Sequence, residues 1–271
     1  VYHPFRIVPE ALERRVVNNP LLLENGKYSI DFEGLKEIIA ENDCKMLILC
    51  NPHNPVGRVW NEDELIQLAE ICYDNNILVV SDEIHSDLTL PGFRHRPFAT
   101  VSEKAKENSI TLMAPSKTFN IAGIVSSFAV IHNPEIRKQY LNYLAPRELD
   151  QATIYALAAT EAAYNYGEEW LDQALAYIQK NIDFVENYLK EYIPQISSVK
   201  SEATFLVWLD CRALNLTQQE LVDLFVNKAK LALNDGTVFG KEGEGFMRLN
   251  VGTPLSNIEK ALDNLRIAIN S

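Results

Sequence analysis

Three short stretches of the chain carry polar groups that could act together in catalysis. The first, "NPHNPVGR" (51–58), contains two Asn-Pro steps and a glycine, the second, "DEIH" (82–85), begins with Asp82, and the third, "APSKTFNIAG" (114–123), contains a lysine. Each stretch also has a plain alternative interpretation. The first could be only a turn, Asp82 could be a helix cap, and Lys117 could be a solvated loop residue. As a set, they offer an amide, a carboxylate and an amine.

Each stretch follows an apolar run that is typical of a buried strand. A fourth apolar run resembles these three, and segments with helical spacing separate the runs. One of these segments has Asn61 as a plausible N-cap, with Glu64 three residues later. The predicted strands are 45–50, 77–81, 109–114 and 126–131, and the predicted helices are 31–42, 61–76 and one that Pro134 opens. Strands that are apolar on both faces and alternate with helices predict an α/β fold with a mostly parallel sheet, covered on both sides.

The pattern changes after about residue 166. A long helix is expected first, and shorter strands and helices alternate after it: helix 168–192, strand 203–211, a helix near 217–230, strand 246–251 and a closing helix near 255–269. This order predicts a smaller α+β lobe that packs on the larger one. We therefore expect a large domain over residues 1–165 and a small C-terminal domain over residues 166–271.

The three polar stretches should lie close together in this fold. Ligands of open parallel α/β sheets bind beyond the carboxyl ends of the strands, and each stretch begins at such an end. A pyridine aldehyde is the small molecule that needs this set of groups. It needs a lysine for the imine, an acid that keeps the ring nitrogen protonated, and a donor to the phenolic oxygen.

Composition excludes several other classes of protein. The chain has 271 residues, 47% of them hydrophobic and 23% charged, as in ordinary soluble globular proteins. A net charge of −12 argues against a nucleic-acid or anionic-membrane partner, because neither polyanion gains from an acidic surface. No apolar run reaches the ~20 residues of a membrane span, so a cytoplasmic protein is expected.

The cysteines and histidines give no sign of a metal site. Four cysteines contain no CxxC pair, and three of them lie in apolar runs, which favours core residues over a redox or metal role. The five histidines supply neither HExxH nor a His/Cys cluster. We expect no bound metal.

The sequences of these motifs resemble those of a known protein family. "NPHNPVGRVW" (51–60), "VVSDEIHSDL" (79–88), "APSKTFNIAG" (114–123) and "FMRLNVGTP" (246–254) are similar, in order and spacing, to the pyridoxal-phosphate (PLP)-dependent class I/II aminotransferase family, and in particular to its cystathionine β-lyase (MalY/PatB) branch. The resemblance extends over essentially the whole chain. It implies the PLP-dependent transferase fold type I, pyridoxal 5′-phosphate as the cofactor, and a homodimer with an amino-acid substrate.

The resemblance also implies roles for individual residues. Lys117 would bind the cofactor covalently as an imine and afterwards carry the substrate Cα proton, which requires a neutral amine. Asp82 would pair with the pyridine nitrogen, and Asn54 would donate to the O3′ oxygen of the ring. Arg248 would bind the substrate α-carboxylate, because its planar fork matches two oxygens; the plain alternative is a surface arginine.

Three further positions are implied with alternatives left open. Ser116 would contact the cofactor phosphate, and Tyr2 matches the aromatic residue that stacks on the ring. His85 stands where the lyase branch has histidine and many aminotransferases have tyrosine; it could contact O3′ or brace Asp82, or it could be a packed neighbour. Glu83 and Asp87, in the same stretch, are interpreted as solvated or structural.

The sequence also departs from the family pattern at two points. Family members usually have a further N-terminal part, with a phosphate-binding loop, before the position that matches Val1, so we expect that such a segment lies outside this chain. Many relatives have a phosphate-binding arginine where this chain has Val125. Phosphate binding would then depend on Ser116, backbone N–H groups and the preceding segment.

Three functions are compatible with these residues. The first is a C–S β-lyase that converts L-cystathionine or a related L-cysteine conjugate to a thiol, pyruvate and ammonia. The second is an aminotransferase, which shares the same carbanion chemistry, and the third is a PLP-binding regulator or an inactive scaffold. The motifs "DEIHSD" (82–87) and "NPHNPVGRVW" (51–60) favour the lyase.

Overall fold

The computed structural model describes residues 1–270, and these contain ten strands in three sheets. The sheets are a hairpin, a mixed four-stranded sheet and an antiparallel four-stranded sheet. The strands are β1 (Leu22–Glu24), β2 (Lys27–Ser29), β3 (Met46–Cys50), β4 (Leu78–Asp82), β5 (Ser109–Met113), β6 (Phe128–Val130), β7 (Ser197–Ser198), β8 (Leu206–Asp210), β9 (Asn234–Asp235) and β10 (Phe246–Asn250).

Ten α-helices accompany these strands within the same residues. They are α1 (Pro4–Ala11), α2 (Phe32–Glu41), α3 (Glu62–Asp74), α4 (Glu103–Glu107), α5 (Pro115–Thr118), α6 (Pro134–Leu144), α7 (Ile154–Tyr166), α8 (Glu168–Tyr192), α9 (Gln218–Asp223) and α10 (Leu255–Asn270). None of the helices in this part of the chain combines the length and the apolar character that crossing a lipid bilayer requires.

The mixed sheet has the order β3-β4-β5-β6. Its first three strands are parallel and β6 is antiparallel to β5, so the predicted mostly parallel sheet is confirmed. Helix α3 crosses from β3 to β4 and begins with the predicted capping box, in which Asn61 accepts from the Glu64 N–H and Glu64 accepts from the Asn61 N–H. These bonds satisfy two of the free N–H groups at the helix start.

The two faces of the mixed sheet are covered unequally. Val79 and Ser81 on β4 are buried, and a core that includes Leu65, Leu68 and Phe98 packs against this face. Along the same strand Leu78, Val80 and Asp82 alternate with them and are only half-buried. The predicted coverage of both faces is therefore complete for one face only, within residues 1–270.

The antiparallel sheet has the order β7-β8-β10-β9 and packs against α8 and α10. The core between them includes Val185, Leu189, Val207, Met247 and Leu262. Helix α8 has the predicted bounds, whereas α9 ends at Asp223 and a turn of π-helix, Leu224–Lys228, takes the place of its predicted continuation. The α+β character of the C-terminal part is confirmed; the boundary at 165/166 falls at the end of α7 and stays a prediction.

Candidate active site

The carboxyl ends of the three parallel strands are aligned in register. Cys50 at the end of β3 is paired with Asp82 at the end of β4, and Asp82 is paired with Leu112 near the end of β5. The turn with Asn54 follows β3 directly, and Lys117 lies four residues beyond the end of β5. All three predicted polar groups therefore emerge from the same edge of the sheet.

Asn54 lies in a tightly bonded turn. Its backbone N–H donates to the Cys50 thiol over 3.3 Å, and the turn is closed by bonds from the Gly57 N–H to the His53 oxygen (2.7 Å) and from the His53 N–H to the Arg58 oxygen (2.8 Å). Gly57 has a φ of +68°, a conformation that favours glycine. The residues of this turn are buried, so the position of the Asn54 amide is well defined.

Arg248 reaches Asn54 from the antiparallel sheet. Its Nη1 donates to Asn54 Oδ1 over 2.9 Å and its Nη2 donates to Asn234 Oδ1 over 2.7 Å, while the guanidinium lies 4.7 Å from the centre of the Phe239 ring. Burial lowers the pKa of Arg248, and the electrostatic influence of Tyr2 acts in the opposite direction. This half-buried arginine is fixed on two sides and keeps N–H groups free for an anion.

Asp82 ends β4 with a half-buried carboxylate. Its Oδ1 accepts from the Ile84 N–H over 3.1 Å, which makes a local turn, and no helix follows that it could cap. Burial raises the pKa of Asp82, and the neighbouring Glu83 raises it further. A cation beside this carboxylate would offset the cost of its burial.

His85 is buried next to this carboxylate turn. Its ring packs edge-on against the Phe205 ring with centroids 6.0 Å apart, and its Nδ1 has no hydrogen-bond partner among the described residues. Burial, followed by the positive charges of Lys117 and Arg248, lowers the pKa of His85 to about 4. The structure therefore brings His85 near both Lys117 and Arg248 and keeps its ring neutral at pH 7.

Lys117 and Ser116 lie on the short helix α5. Both side chains are half-buried, and within residues 1–270 the Lys117 amine makes no hydrogen bond or ion pair. The next residue, Thr118, is buried and donates from Oγ1 to Asp87 Oδ2 over 3.2 Å. Asp87 therefore connects the "DEIHSD" stretch to the lysine-bearing helix.

Tyr2 and Val125 are exposed, unlike the buried or half-buried candidate residues described above. Tyr2 is 38% exposed and contacts the rings of His3 and Phe5, with centroids 5.2 Å and 5.8 Å away. It nevertheless lies close enough to influence Arg248 electrostatically. Val125 is 83% exposed and has a φ of 53°, in a region that is strained for a β-branched residue.

The sequence left Glu83, which lies beside the site, as either solvated or structural. Glu83 is fully buried and accepts from the Ser81 hydroxyl (2.8 Å), the Phe98 N–H (2.8 Å) and His95 Nε2 (2.7 Å). The period-2 alternation of β4, which buries Val79 and Ser81, would have placed Glu83 on the same face. Glu83 is thus structural and not solvated.

Comparison with known proteins agrees with this fold. The sequence profile of the family "Aminotransferase class I and II" matches residues 10–265, so the chain belongs to this enzyme family, as its motifs predicted. Cystathionine beta-lyase PatB of Bacillus subtilis is 41% identical over 99% of this chain and 70% of its own length. Protein MalY of Escherichia coli is 34% identical over 99% of this chain and 68% of its own length.

Solved structures show the same architecture. A PLP-bound putative aminotransferase from Clostridium difficile superimposes with a TM-score of 0.97 at 44% identity, covering 100% of this chain and 70% of that protein. Cystalysin from Treponema denticola, which contains pyridoxal 5′-phosphate, gives a TM-score of 0.95 at 36% identity, covering 100% of this chain and 68% of that protein. The expected fold type is confirmed.

Proposed function

We propose that the protein is a PLP-dependent C–S β-lyase that acts on L-cystathionine or a related L-cysteine conjugate and releases a thiol, pyruvate and ammonia. The observation that carries this proposal is the convergence of Asn54, Asp82 and Lys117 on one sheet edge, with Arg248 bonded to Asn54. Identity of 41% to a cystathionine beta-lyase over 99% of the chain supports the choice of reaction.

The chemistry of these side chains fits pyridoxal phosphate. The Lys117 amine, which has no partner among the described residues, would hold the cofactor covalently, and the desolvated Asp82 carboxylate would pair with its protonated ring nitrogen. When bound, the cofactor supplies an electron-accepting ring that stabilises negative charge at the substrate Cα. Ser116 would contribute to phosphate binding, and Tyr2 would contact the ring.

The bond between Arg248 and Asn54 would orient both the cofactor and the substrate. Asn54 Oδ1 already accepts from Arg248, so the Nδ2 group is the part of the amide that is free to donate to the O3′ oxygen. Arg248 uses one N–H of Nη1 and one of Nη2 for Asn54 and Asn234, and the other N–H of each could bind the two oxygens of an α-carboxylate.

Lys117 would then move the proton on which the reaction depends. As a neutral amine it would accept the substrate Cα proton at Nζ, after which the Cβ–S bond breaks and the sulfur leaves as a thiolate with the bonding electrons and takes up a proton. Water then hydrolyses the remaining three-carbon unit to pyruvate and ammonia. His85, which is buried and neutral, would add no positive charge near Nζ. It would support Asp82 or the ring oxygen as an uncharged group.

The test is an assay of the protein with PLP and L-cystathionine. Pyruvate formed without an added keto acid supports the lyase, whereas amino-group transfer that strictly requires a keto acid would identify an aminotransferase instead. Absence of the visible absorbance band of protein-bound PLP would leave only an inactive scaffold. In the control Lys117→Ala the band should disappear, and a band that survives there would show that another lysine holds the cofactor.

We also propose the assembly and location that the family suggests. A homodimer is expected, which sedimentation velocity would test by showing a species of twice the 30.7 kDa chain mass.

The large lobe is taken as residues 1–165 and the small lobe as residues 166–271. A cytoplasmic location is supported by the four cysteines, all of which are free thiols.

A further inference from the structure

Arg58 forms a buried ion cluster beside the candidate site. Its side chain is only 5% exposed, and its Nε donates to the main-chain carbonyl oxygen of Tyr28 over 2.8 Å. Nη2 donates to both oxygens of Glu64 (2.7 and 2.8 Å), and Nη1 donates to Glu202 Oε2 over 2.6 Å and to the Val59 oxygen. Every nitrogen of this guanidinium therefore has an acceptor, which is the condition under which a buried arginine is tolerated.

Glu202 is bonded to the end of the Asn54 turn at several points. Its Oε2 also accepts from the Val59 N–H over 2.8 Å. The backbone N–H groups of Glu202 and Ala203 both donate to the Gly57 oxygen, over 2.9 Å and 3.0 Å. The end of the turn is thus bound through the side chain and the main chain of Glu202, which is 144 positions from Arg58 in sequence, and through the main chain of Ala203.

The segment that carries Glu202 then enters the site through a strained residue. Thr204 has a φ of 74°, which is costly for a β-branched side chain and is retained only where surrounding contacts determine it. Here its N–H donates to the Leu88 oxygen over 2.7 Å, and its hydroxyl accepts from the Leu206 N–H over 3.1 Å. The backbone is therefore fixed on both sides of Phe205.

Phe205 connects this segment to the Arg248 side of the site. Its ring packs against His85, and its oxygen accepts from the Val251 N–H over 2.9 Å, three residues beyond Arg248. Arg58 is thus connected, through its bond to Glu202 and the backbone from Glu202 to Phe205, with Val251, the residue that directly follows the strand carrying Arg248.

We propose that Arg58 and Glu202 are positioning residues that hold the Asn54 turn at hydrogen-bond distance from Arg248 and thereby set the affinity for the substrate α-carboxylate. This proposal rests on the proposed function, since it assigns the carboxylate to Arg248. A cluster that served stability alone would leave carboxylate binding unchanged once the variant had folded.

Glu202→Ala removes the acceptor of two donors and tests this role. The KM for L-cystathionine should rise about tenfold or more while kcat changes by less than about threefold, because a small displacement of Asn54 and Arg248 affects binding geometry first. Glu202→Gln keeps an oxygen for both donors and should restore a KM near that of the native protein. Glu33→Ala, which removes an 80%-exposed partner of Lys36, is the matched control. A KM for Glu202→Ala equal to that of the control would overturn the proposal.

A second measurement does not depend on activity. With ¹⁵N-labelled asparagine, the Asn54 side-chain amide signals should shift in both Glu202→Ala and Arg248→Lys, and should stay in place in Glu33→Ala. If Glu202→Ala does not fold, Arg58→Lys gives the same readout, because the three N–H donors of a lysine cannot replace the five hydrogen bonds that Arg58 makes. If the Asn54 signals do not move in the variant, the positioning role is contradicted, whether or not the native protein forms pyruvate. If the signals move but the native protein forms no pyruvate, only the proposed function is contradicted.

Discussion

Arg248 on β10 donates from Nη1 to Asn54 Oδ1 over 2.9 Å, although the two residues are 194 positions apart in sequence. The bond joins the antiparallel sheet to the turn that follows the first parallel strand. It also orients the Asn54 amide, because the oxygen is used by the guanidinium. If Arg248 binds the substrate and Asn54 the cofactor, as proposed, this one hydrogen bond would couple the two binding events.

Replacing Arg248 with lysine should separate charge from geometry. Lysine keeps the positive charge, but its three N–H donors cannot serve Asn54, Asn234 and both oxygens of a carboxylate, so kcat/KM for L-cystathionine should fall about 100-fold, mostly through KM. Steady-state kinetics with saturating PLP measures this. Arg147→Lys, at an exposed arginine, is the control. An unchanged KM would mean that the carboxylate binds elsewhere.

Local parts of the fold could be predicted from the sequence. The capping box at Asn61 and the bounds of α8 follow from neighbouring residues, and the parallel strands β3 to β5 follow from apolar runs that alternate with helices. The antiparallel direction of β6 could not be predicted, because a three-residue strand carries no directional signal. The turn of π-helix after α9 was missed because its apolar spacing continues that of the helix.

For the site, the sequence predicted which residues lie at one sheet edge but not how their side chains are bonded. Strand ends placed Asn54, Asp82 and Lys117 on one edge without any knowledge of contacts. The bonds from Arg248 to Asn54 and from Arg58 to Glu202 depend on how the two sheets pack, which local sequence does not encode. Glu83 was the one neighbour whose burial the strand alternation could have indicated.

Asp82→Asn should stabilise the cofactor-free protein while impairing the enzyme. Burial raises the pKa of Asp82 above its unfolded value, so the folded state holds the proton more tightly and stability falls as pH rises from that unfolded value through the folded pKa. Asparagine cannot ionise and avoids this loss. Urea unfolding of the cofactor-free protein should show a higher free energy of unfolding for the variant at pH 7 and a smaller difference in acid.

The same substitution removes the proposed anionic partner of the cofactor ring nitrogen. With PLP bound, kcat of Asp82→Asn should be lower by about 100-fold or more, the size typical of losing one preorganised electrostatic partner. Native-like kcat in the variant would show that another group fulfils this role.

His85 should contribute an acid-sensitive part of the stability. Its pKa is lowered from 6.5 to about 4 by burial and by the nearby cations, so the unfolded state binds a proton first as pH falls. The contribution is complete above pH 6.5 and is lost as pH falls toward 4, by on the order of 3 kcal/mol. His85→Gln should flatten this part of the pH profile of unfolding free energy. Equal profiles for both proteins would contradict a buried neutral histidine.

Glu83 supplies the acceptor for three buried donors directly behind Asp82, so its two replacements should differ. Glu83→Ala leaves the Ser81 hydroxyl, the Phe98 N–H and His95 without a partner and should cost about 3–5 kcal/mol of unfolding free energy. Glu83→Gln keeps one oxygen, which Ser81 and Phe98 can share, and should cost only about 1–2 kcal/mol. Urea unfolding of both variants gives the comparison, with Glu103→Ala at an exposed ion pair as the control. Equal losses for alanine and glutamine would mean that the charge of Glu83, and not its acceptor oxygens, holds this part of the sheet edge together.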